Sequence, residues 1–425
     1  MTSRLSLSQR AIRAAHQPVS ALMARALENP QLISLAAGFV DQQTLPVGIV
    51  RKVITQILSD EEAARQALQY GTTLGDPELR ELILANCLQL DGLEREQSPV
   101  SVDQVVLTAG SNQLLHLVAE TLLDPGDIVI CTSPSYFVFL GILKQLGVRT
   151  MGVAVDQQGM LPDSLEELLE QLQQQGELAR VRLLYLVPYY DNPAGITMSR
   201  QRGDEILEII QRWSEKQRIH LLVDEAYRQL RLDGDDVPSL WTRPGAAETV
   251  IMAGTFSKSF SPGIRVGWGI LPDELIEPLL DQKGNLDFGS PNINQQIMRE
   301  VLQSGDLQQH LQQLTAGYRV KRDAMLAAAD RYLAPLGQLS WCAPAGGLYL
   351  WLELPPDVNS GPEGELFEAA LDEGMLYVPG QYCFPAEGEG VRYNTIRLSF
   401  GVQSADRIEL GMQSLSVALQ RLLSS

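Results

Sequence analysis

Two kinds of pattern alternate along most of this chain. Short runs of consecutive apolar residues cover positions 104–108, 128–132, 150–155, 182–188, 220–223, 250–253 and 266–270. Between them lie longer stretches with helical spacing, notably 165–174 and 205–216. Apolar residues that run on continuously, rather than at every second position, mark strands buried on both faces. The pattern therefore predicts a mostly parallel sheet covered by helices on both sides, a fold in which ligands sit at the carboxyl ends of the strands. Upstream, 32–39 reads as a short strand closed by a tight turn at Gly38, and helices follow over 47–60 and 77–90. The loop between those helices carries Tyr70, Gly71, Thr72, Thr73 and Gly75, with Asp76 capping the second helix and Pro77 at its first position. Beyond about 295 the character changes. A long helix over 294–334, strands at 346–352, 375–378 and 395–400, and a closing helix over 406–423 make a smaller α/β unit, with 355–365 its clearest loop.

Composition narrows the function. At 425 residues the chain exceeds one ordinary core, so two or more domains are expected. Its 45% hydrophobic and 20% charged residues are those of a soluble globular protein. A net charge of −19 argues against nucleic acid or an anionic membrane as a partner. Cys87, Cys131, Cys342 and Cys383 lie far apart without metal spacing, which reads as free thiols in a reducing compartment. The scattered histidines offer no metal site either. The first 27 residues hold Arg4, Arg10, Arg13 and Arg25 and no acid. That composition fits a transit peptide, or a basic arm packing on an acidic body. The arm is preferred, because Ser6-Leu7-Ser8-Gln9-Arg10 runs unbroken into the body, and a cytoplasmic location is expected. No G-x-G-x-x-G or Walker motif occurs, so nothing points to a dinucleotide or nucleoside triphosphate.

The candidate chemistry gathers at predicted strand ends. Lys258 lies between Phe256 and Phe260, shortly after Val250-Ile251-Met252-Ala253, whereas Lys52, Lys144, Lys216, Lys283 and Lys321 have the polar neighbours of solvated lysines. Desolvation favours the neutral amine that attacks a carbonyl. Seven residues on, Arg265 stands in a Gly- and Ser-rich turn suited to a phosphate, with Ser257 beside the lysine. An amine nucleophile next to a phosphate site points to a Schiff base with pyridoxal 5′-phosphate. Thr108-Ala109-Gly110-Ser111-Asn112-Gln113 opens a helix, where Ser111 either caps the helix or adds a donor to an anion site. Tyr136 can stack on a flat ring or simply pack. Asn192, before Pro193, belongs either to an Asn-Pro turn or to the site. Asp224, after three apolar residues, is either a cap or a buried carboxylate that needs a cation, such as a protonated pyridine nitrogen.

Together these residues resemble the fold-type-I, class I/II aminotransferases, and more loosely their aminoadipate/kynurenine branch. The likeness rests on Asn192-Pro193-x-Gly195, Asp224-Glu225-x-Tyr227, Ser257-Lys258 with Pro262-Gly263-x-Arg265-x-Gly267, and Arg397-Leu398-Ser399-Phe400, and it runs from about Ser34 to the C-terminus. It implies a PLP-dependent transferase fold: a large domain with a seven-stranded, mostly parallel sheet over residues 46–295, and a smaller α/β domain over 296–425 joined by the N-terminal segment 1–45. The implied activity moves an amino group between an L-amino acid and a 2-oxo acid. The implied roles are Lys258 as imine lysine and proton carrier, and Asp224 on the ring nitrogen. Tyr227 and Asn192 meet the ring oxygen, Tyr136 stacks, and Ser111, Asn112, Ser257 and Arg265 surround the phosphate. Gly38, Asn192 and Arg397 take the substrate carboxylate, and Tyr70 reaches the site of the second subunit of a homodimer. Two departures stand out. Ala194 replaces the threonine usual in Asn-Pro-Thr-Gly, and the arm segment 20–24 is apolar with Arg25 its nearest cation, which speaks against acidic substrates. Phe39, Tyr190, Leu348, Tyr349 and Phe384 are expected to line an apolar side-chain pocket. A PLP β-lyase or decarboxylase would use the same anchors. A MocR-like regulator would carry a basic winged-helix domain ahead of this fold, where here about thirty residues precede Ser34.

Overall fold

Seven strands form the main sheet of the computed structural model, which describes residues 6–15, 22, 28–29 and 31–423. They are β1 (Val105–Thr108), β2 (Ile128–Ser133), β3 (Arg149–Asp156), β4 (Val181–Leu186), β5 (His220–Asp224), β6 (Val250–Thr255) and β7 (Gly267–Ile270). Their spatial order is β3-β2-β4-β5-β6-β7-β1. All neighbours are parallel except β7, which runs antiparallel to β6 and β1. Two-residue strands, Glu387–Gly388 and Gly159–Met160, extend the sheet beside β3. Successive residues turn to opposite faces, and each face meets its own apolar layer: Leu222 and Ile251 join one core, Leu221, Val223 and Val250 the other. Burial on both faces is why the strands read as continuous apolar runs.

A second sheet, antiparallel, orders Ser340–Trp341, Tyr349–Glu353, Thr395–Ser399 and Val378–Pro379. The N-terminal strand Ile33–Ser34 pairs in parallel with Met375–Leu376, and the Leu35 carbonyl accepts from the Ser399 N–H at 2.7 Å. The start and end of the chain are thereby knit together beside the main sheet. Gly38 makes no left-handed turn. It is glycine because a Cβ there would stand 2.8 Å from the Tyr349 hydroxyl. The expected helix over 294–334 is two helices, Asn292–Gln303 and Asp306–Ala328, with a π-helical turn Ala329–Leu333 after them. Gly305, at φ +76°, divides the two, a backbone conformation open to glycine at little cost. Helices Glu61–Leu68, capped by Asp60, and Asp273–Leu286 were not delimited by the pattern. Residues 20–21 and 23–25 of the arm lie outside the described residues, whereas Leu22 is buried.

The turn after β5 is anchored by charge. Arg228, 4% exposed, donates to both oxygens of Asp91 at 2.7 and 3.0 Å and to Asp236 at 3.1 Å, and it lies 3.5 Å from Glu225. Asp91 ends helix Pro77–Leu90, so the cluster ties that helix to the strand end that presents Asp224 and Tyr227. Burial pushes the Glu225 carboxyl up to about 8. Removing the cation at the centre of such a cluster strands its carboxylates: Arg228→Ala is expected to lower stability by about 3–5 kcal/mol in urea unfolding. A loss below about 1 kcal/mol would show that the cluster is not the anchor.

Candidate active site

One cavity of about 510 Å³ opens at the carboxyl ends of β1, β2, β4, β5 and β6. Its walls include every predicted site residue except Tyr70. A volume in this range holds a small cofactor with substrate. Each strand end delivers one group, and the second sheet closes the opposite side.

At the deep end, β5 finishes on Asp224, 4% exposed. Its carboxylate accepts from the Tyr185 hydroxyl on β4 at 3.1 Å and from the Ala226 N–H at 3.2 Å. Among the described residues no basic side chain forms an ion pair with it. Burial raises its pKa to about 6, against the hydrogen bonds from Ala226 and Tyr185 and the charge of Lys258. Tyr185 went unpredicted, since on the sequence it is one more apolar residue of a buried strand.

Lys258 follows β6, and its Nζ donates to the Gly38 carbonyl at 2.7 Å, which places the amine beneath the N-terminal segment. At one rim, Arg265 adopts the left-handed conformation (φ +49°). Its guanidinium donates to the Ala109 carbonyl at 2.8 Å and the Ser257 hydroxyl at 3.4 Å. Helix Ser111–Leu122 starts at Gly110 (φ +82°) with no side-chain cap, so Ser111 is its first residue rather than its cap. Uncapped N–H groups at a helix start attract anions. The approach is close: a Cβ on Gly267 would sit 2.5 Å from the Ser111 nitrogen, and one on Gly110 2.6 Å from Arg265.

At the other rim, a closed ring of contacts holds Arg397. It donates to Asn192 Oδ1 at 2.9 Å and to the Ala36 carbonyl at 2.7 Å, and its buried Nε has no partner among the described residues. Phe137 and Tyr349 stack on the guanidinium, 5.1 and 4.4 Å from their ring centres. The Tyr349 hydroxyl lies 3.1 Å from that of Tyr227, which accepts from Asn192 Nδ2 at 3.4 Å. Burial, with Tyr349 adding to it, raises the Tyr227 pKa well above its ordinary value. Tyr136 and Asn112 complete the wall.

The structure corrects two expectations, on the apolar pocket and on Lys283, and it sets Tyr70 apart from the other site residues. Tyr70 is 77% exposed, packed edge-on against Phe288 at 5.5 Å, and outside the cavity of its own chain. Of the five residues expected to make an apolar pocket, only Phe39 and Tyr349 reach the cavity. Leu348 precedes Tyr349 at the start of its strand and turns to the opposite face, while Tyr190 packs under Gly346 and Gly347 and Phe384 lies near Trp351. Lys283 is not solvated but fully buried.

A fold of this topology with this cavity defines a family. The model of aminotransferase class I and II matches residues 30–410, and the chain belongs to that family. It is 32% identical, over 93% of its length and 89% of the relative's, to aromatic-amino-acid aminotransferase 1 of Thermococcus litoralis. Among solved structures it resembles kynurenine aminotransferase of Pyrococcus horikoshii in complex with PMP (29% identity, TM-score 0.88, 99% and 98% of the two chains). It also resembles α-aminoadipate aminotransferase of Thermus thermophilus, complexed with N-(5′-phosphopyridoxyl)-L-leucine (29% identity, TM-score 0.84, 99% and 100%). The protein is thus an enzyme, a transaminase, and its cofactor is pyridoxal 5′-phosphate. The residues present fit that group. A buried carboxylate with no ion-pair partner among the described residues faces the cavity, uncapped N–H groups and Arg265 lie at one rim, and the Lys258 amine lines the same cavity.

Asp224 carries a test that needs no cofactor. In the folded chain its carboxyl keeps its proton to about pH 6, whereas in the unfolded chain it ionises near pH 4. The folded state therefore binds more protons in that window, and stability falls as pH rises through it. Cofactor-free Asp224→Asn is expected to be more stable than cofactor-free wild type above about pH 6, by at most about 3 kcal/mol, and equal to it near pH 4. Urea unfolding at both pH values checks this, and a variant less stable than wild type at the higher pH contradicts it.

Proposed function

We propose that the cavity transfers an amino group between an L-amino acid and a 2-oxo acid, with Lys258 as the residue that bonds the cofactor and then moves the proton. The observation that carries this is the placement of Lys258 between a buried unpaired carboxylate, Asp224, and an aromatic-stacked arginine, Arg397. The bound cofactor supplies an electron-withdrawing ring that accepts the electron pair left when the substrate Cα loses its proton. Asp224 holds a proton on the ring nitrogen, which a buried carboxylate does strongly once a cation meets it. Tyr227 and Asn192 donate to the ring oxygen, and Tyr136 covers the ring. Ser111, Asn112, Ser257, Arg265 and the N–H groups of the helix start take the phosphate. Arg397 takes the substrate carboxylate through a planar fork already oriented by Asn192 and Ala36, with Gly38 beside it. Lys258 Nζ, free of the cofactor once substrate is bound, would take the Cα proton. Phe39, Val138, Val378 and Val402 give the substrate side a largely apolar wall, which favours apolar and aromatic donors.

The same reading divides the chain into residues 1–45 (arm and part of the small domain), 46–295 (large domain) and 296–425 (small domain). The pairing of Ile33–Ser34 with Met375–Leu376 supports it. It makes the protein a cytoplasmic homodimer. Four unpaired cysteines favour a reducing compartment. Among the described residues no helix is long and apolar enough to cross a membrane. An exposed apolar group of Leu68 (71%), Tyr70 (77%) and Phe288 (63%) favours a subunit contact there, through which Tyr70 would reach the partner's phosphate.

Borohydride reduction of the holoenzyme is expected to fix the cofactor on the peptide that contains Lys258, and Lys258→Ala to abolish turnover; label on any other lysine removes the assignment. Arg397→Lys should raise the KM of the amino donor at least about tenfold while the cofactor stays bound, since a lysine cannot form the fork. Loss of cofactor with unchanged KM contradicts that role. For the dimer, Tyr70→Phe and Lys258→Ala subunits are mixed and allowed to exchange. Action across the interface gives each heterodimer one intact site, so activity rises above either parent. Proven exchange without any gain counts against it.

A further inference from the structure

Outside the cavity, one buried charge has no role in the chemistry described so far. Helix Asp273–Leu286 carries Leu275, Leu279 and Lys283 at four-residue spacing, so the lysine is turned inward with the two leucines and is fully buried. Burial pushes its pKa down, and Asp287 pulls it back up. Lys283 Nζ donates to both oxygens of Asp287, at 2.9 and 3.2 Å. Asp287 Oδ2 also accepts from Gln113 Nε2 at 2.7 Å, and Gln113 Oε1 accepts from the Ala109 N–H at 2.6 Å. The carbonyl of that same Ala109 takes the Arg265 guanidinium at 2.8 Å. Hydrogen bonds on either side of the Ala109 backbone thus connect a buried ammonium to the guanidinium at the cavity rim.

A buried ion pair is poor as a source of stability, because desolvation offsets most of its attraction. Here the pair stands at the back of a turn in which Gly110 is left-handed and the helix start has no side-chain cap. Gln113 reaches back to fill that place, with its amide oriented by Asp287, and Asp287 is oriented in turn by Lys283. The next residue, Phe288, is the ring against which Tyr70 packs, and its carbonyl accepts from the Thr73 hydroxyl at 2.9 Å. One short segment therefore touches both the anion cradle and the loop of Tyr70.

We propose that Lys283, through Asp287 and Gln113, is a positioning residue for the cofactor phosphate, fixing the backbone on both sides of the Ala109 Cα and with it Arg265. This rests on the reading of Ser111 and Arg265 as the phosphate cradle. The test compares wild-type, Lys283→Met and Gln113→Leu holoenzymes by their dissociation constant for pyridoxal 5′-phosphate and by the ³¹P resonance of the bound phosphate. Gln113→Leu keeps the ion pair and cuts the series at its middle, so it serves if Lys283→Met fails to fold. Each variant is expected to bind the cofactor about tenfold more weakly, the low end of the scale for groups that orient a ligand shell from behind, with a displaced ³¹P resonance. The donor KM at saturating cofactor, which reports on Arg397, should stay at the wild-type value. Lys283→Arg, which keeps the charge, should recover part of the affinity. Variants that lose only urea resistance, with affinity and ³¹P resonance unchanged, would assign the pair a structural role and overturn the proposal. A wild-type enzyme without a saturable phosphate resonance would instead remove the cradle reading beneath it.

Discussion

A carboxylate buried with no ion-pair partner among the described residues is the constraint around which this structure is arranged. Asp224 ends the middle strand of a sheet whose both faces are covered, so water cannot solvate it. Two neutral donors, the Tyr185 hydroxyl and the Ala226 N–H, stabilise the charge only in part, and the pKa settles at about 6. Such a group is costly alone and strongly attractive to a cation that enters from the cavity. The fold tolerates it because the turn behind it is pinned by Arg228 to the end of another helix. Site and scaffold therefore share one boundary, the last residue of β5.

The two ends of the cavity are made differently. The anion end uses closeness of backbone: Gly110 and Gly267 exist because a methyl group at either would collide with Arg265 or with the helix start. The other end uses groups from distant parts of the sequence: Ala36, Asn192, Tyr349 and Arg397 meet where the N-terminal strand pairs with Met375–Leu376 and the Leu35 carbonyl takes the Ser399 N–H. The hydroxyl of Tyr349 links the contacts around Arg397 to Tyr227 through one hydrogen bond.

Much of this was legible from local pattern. The seven strands were visible because burial on both faces leaves continuous apolar runs, and site residues stood out as polar groups at the ends of such runs. What escaped depended on geometry between elements. Tyr185 looks like a core residue until β4 lies beside β5. Lys283 was misread from its sequence neighbours Asp281 and Gln282, although its four-residue spacing to Leu275 and Leu279 carried the signal. Gly305 was absorbed into a helical period because one glycine does not break the apolar repeat around it, and the pocket guess failed where adjacent strand residues were assigned to one side.

The account stands on the pairing of Asp224 with the ring nitrogen of the cofactor, and the ¹⁵N chemical shift of that nitrogen in the labelled holoenzyme reports it directly. A nitrogen that stays protonated from about pH 6 to about pH 9 is the expected result, because the buried carboxylate has no ion-pair partner among the described residues. A nitrogen that is neutral in that range would show that Asp224 holds no proton there, and would contradict the account.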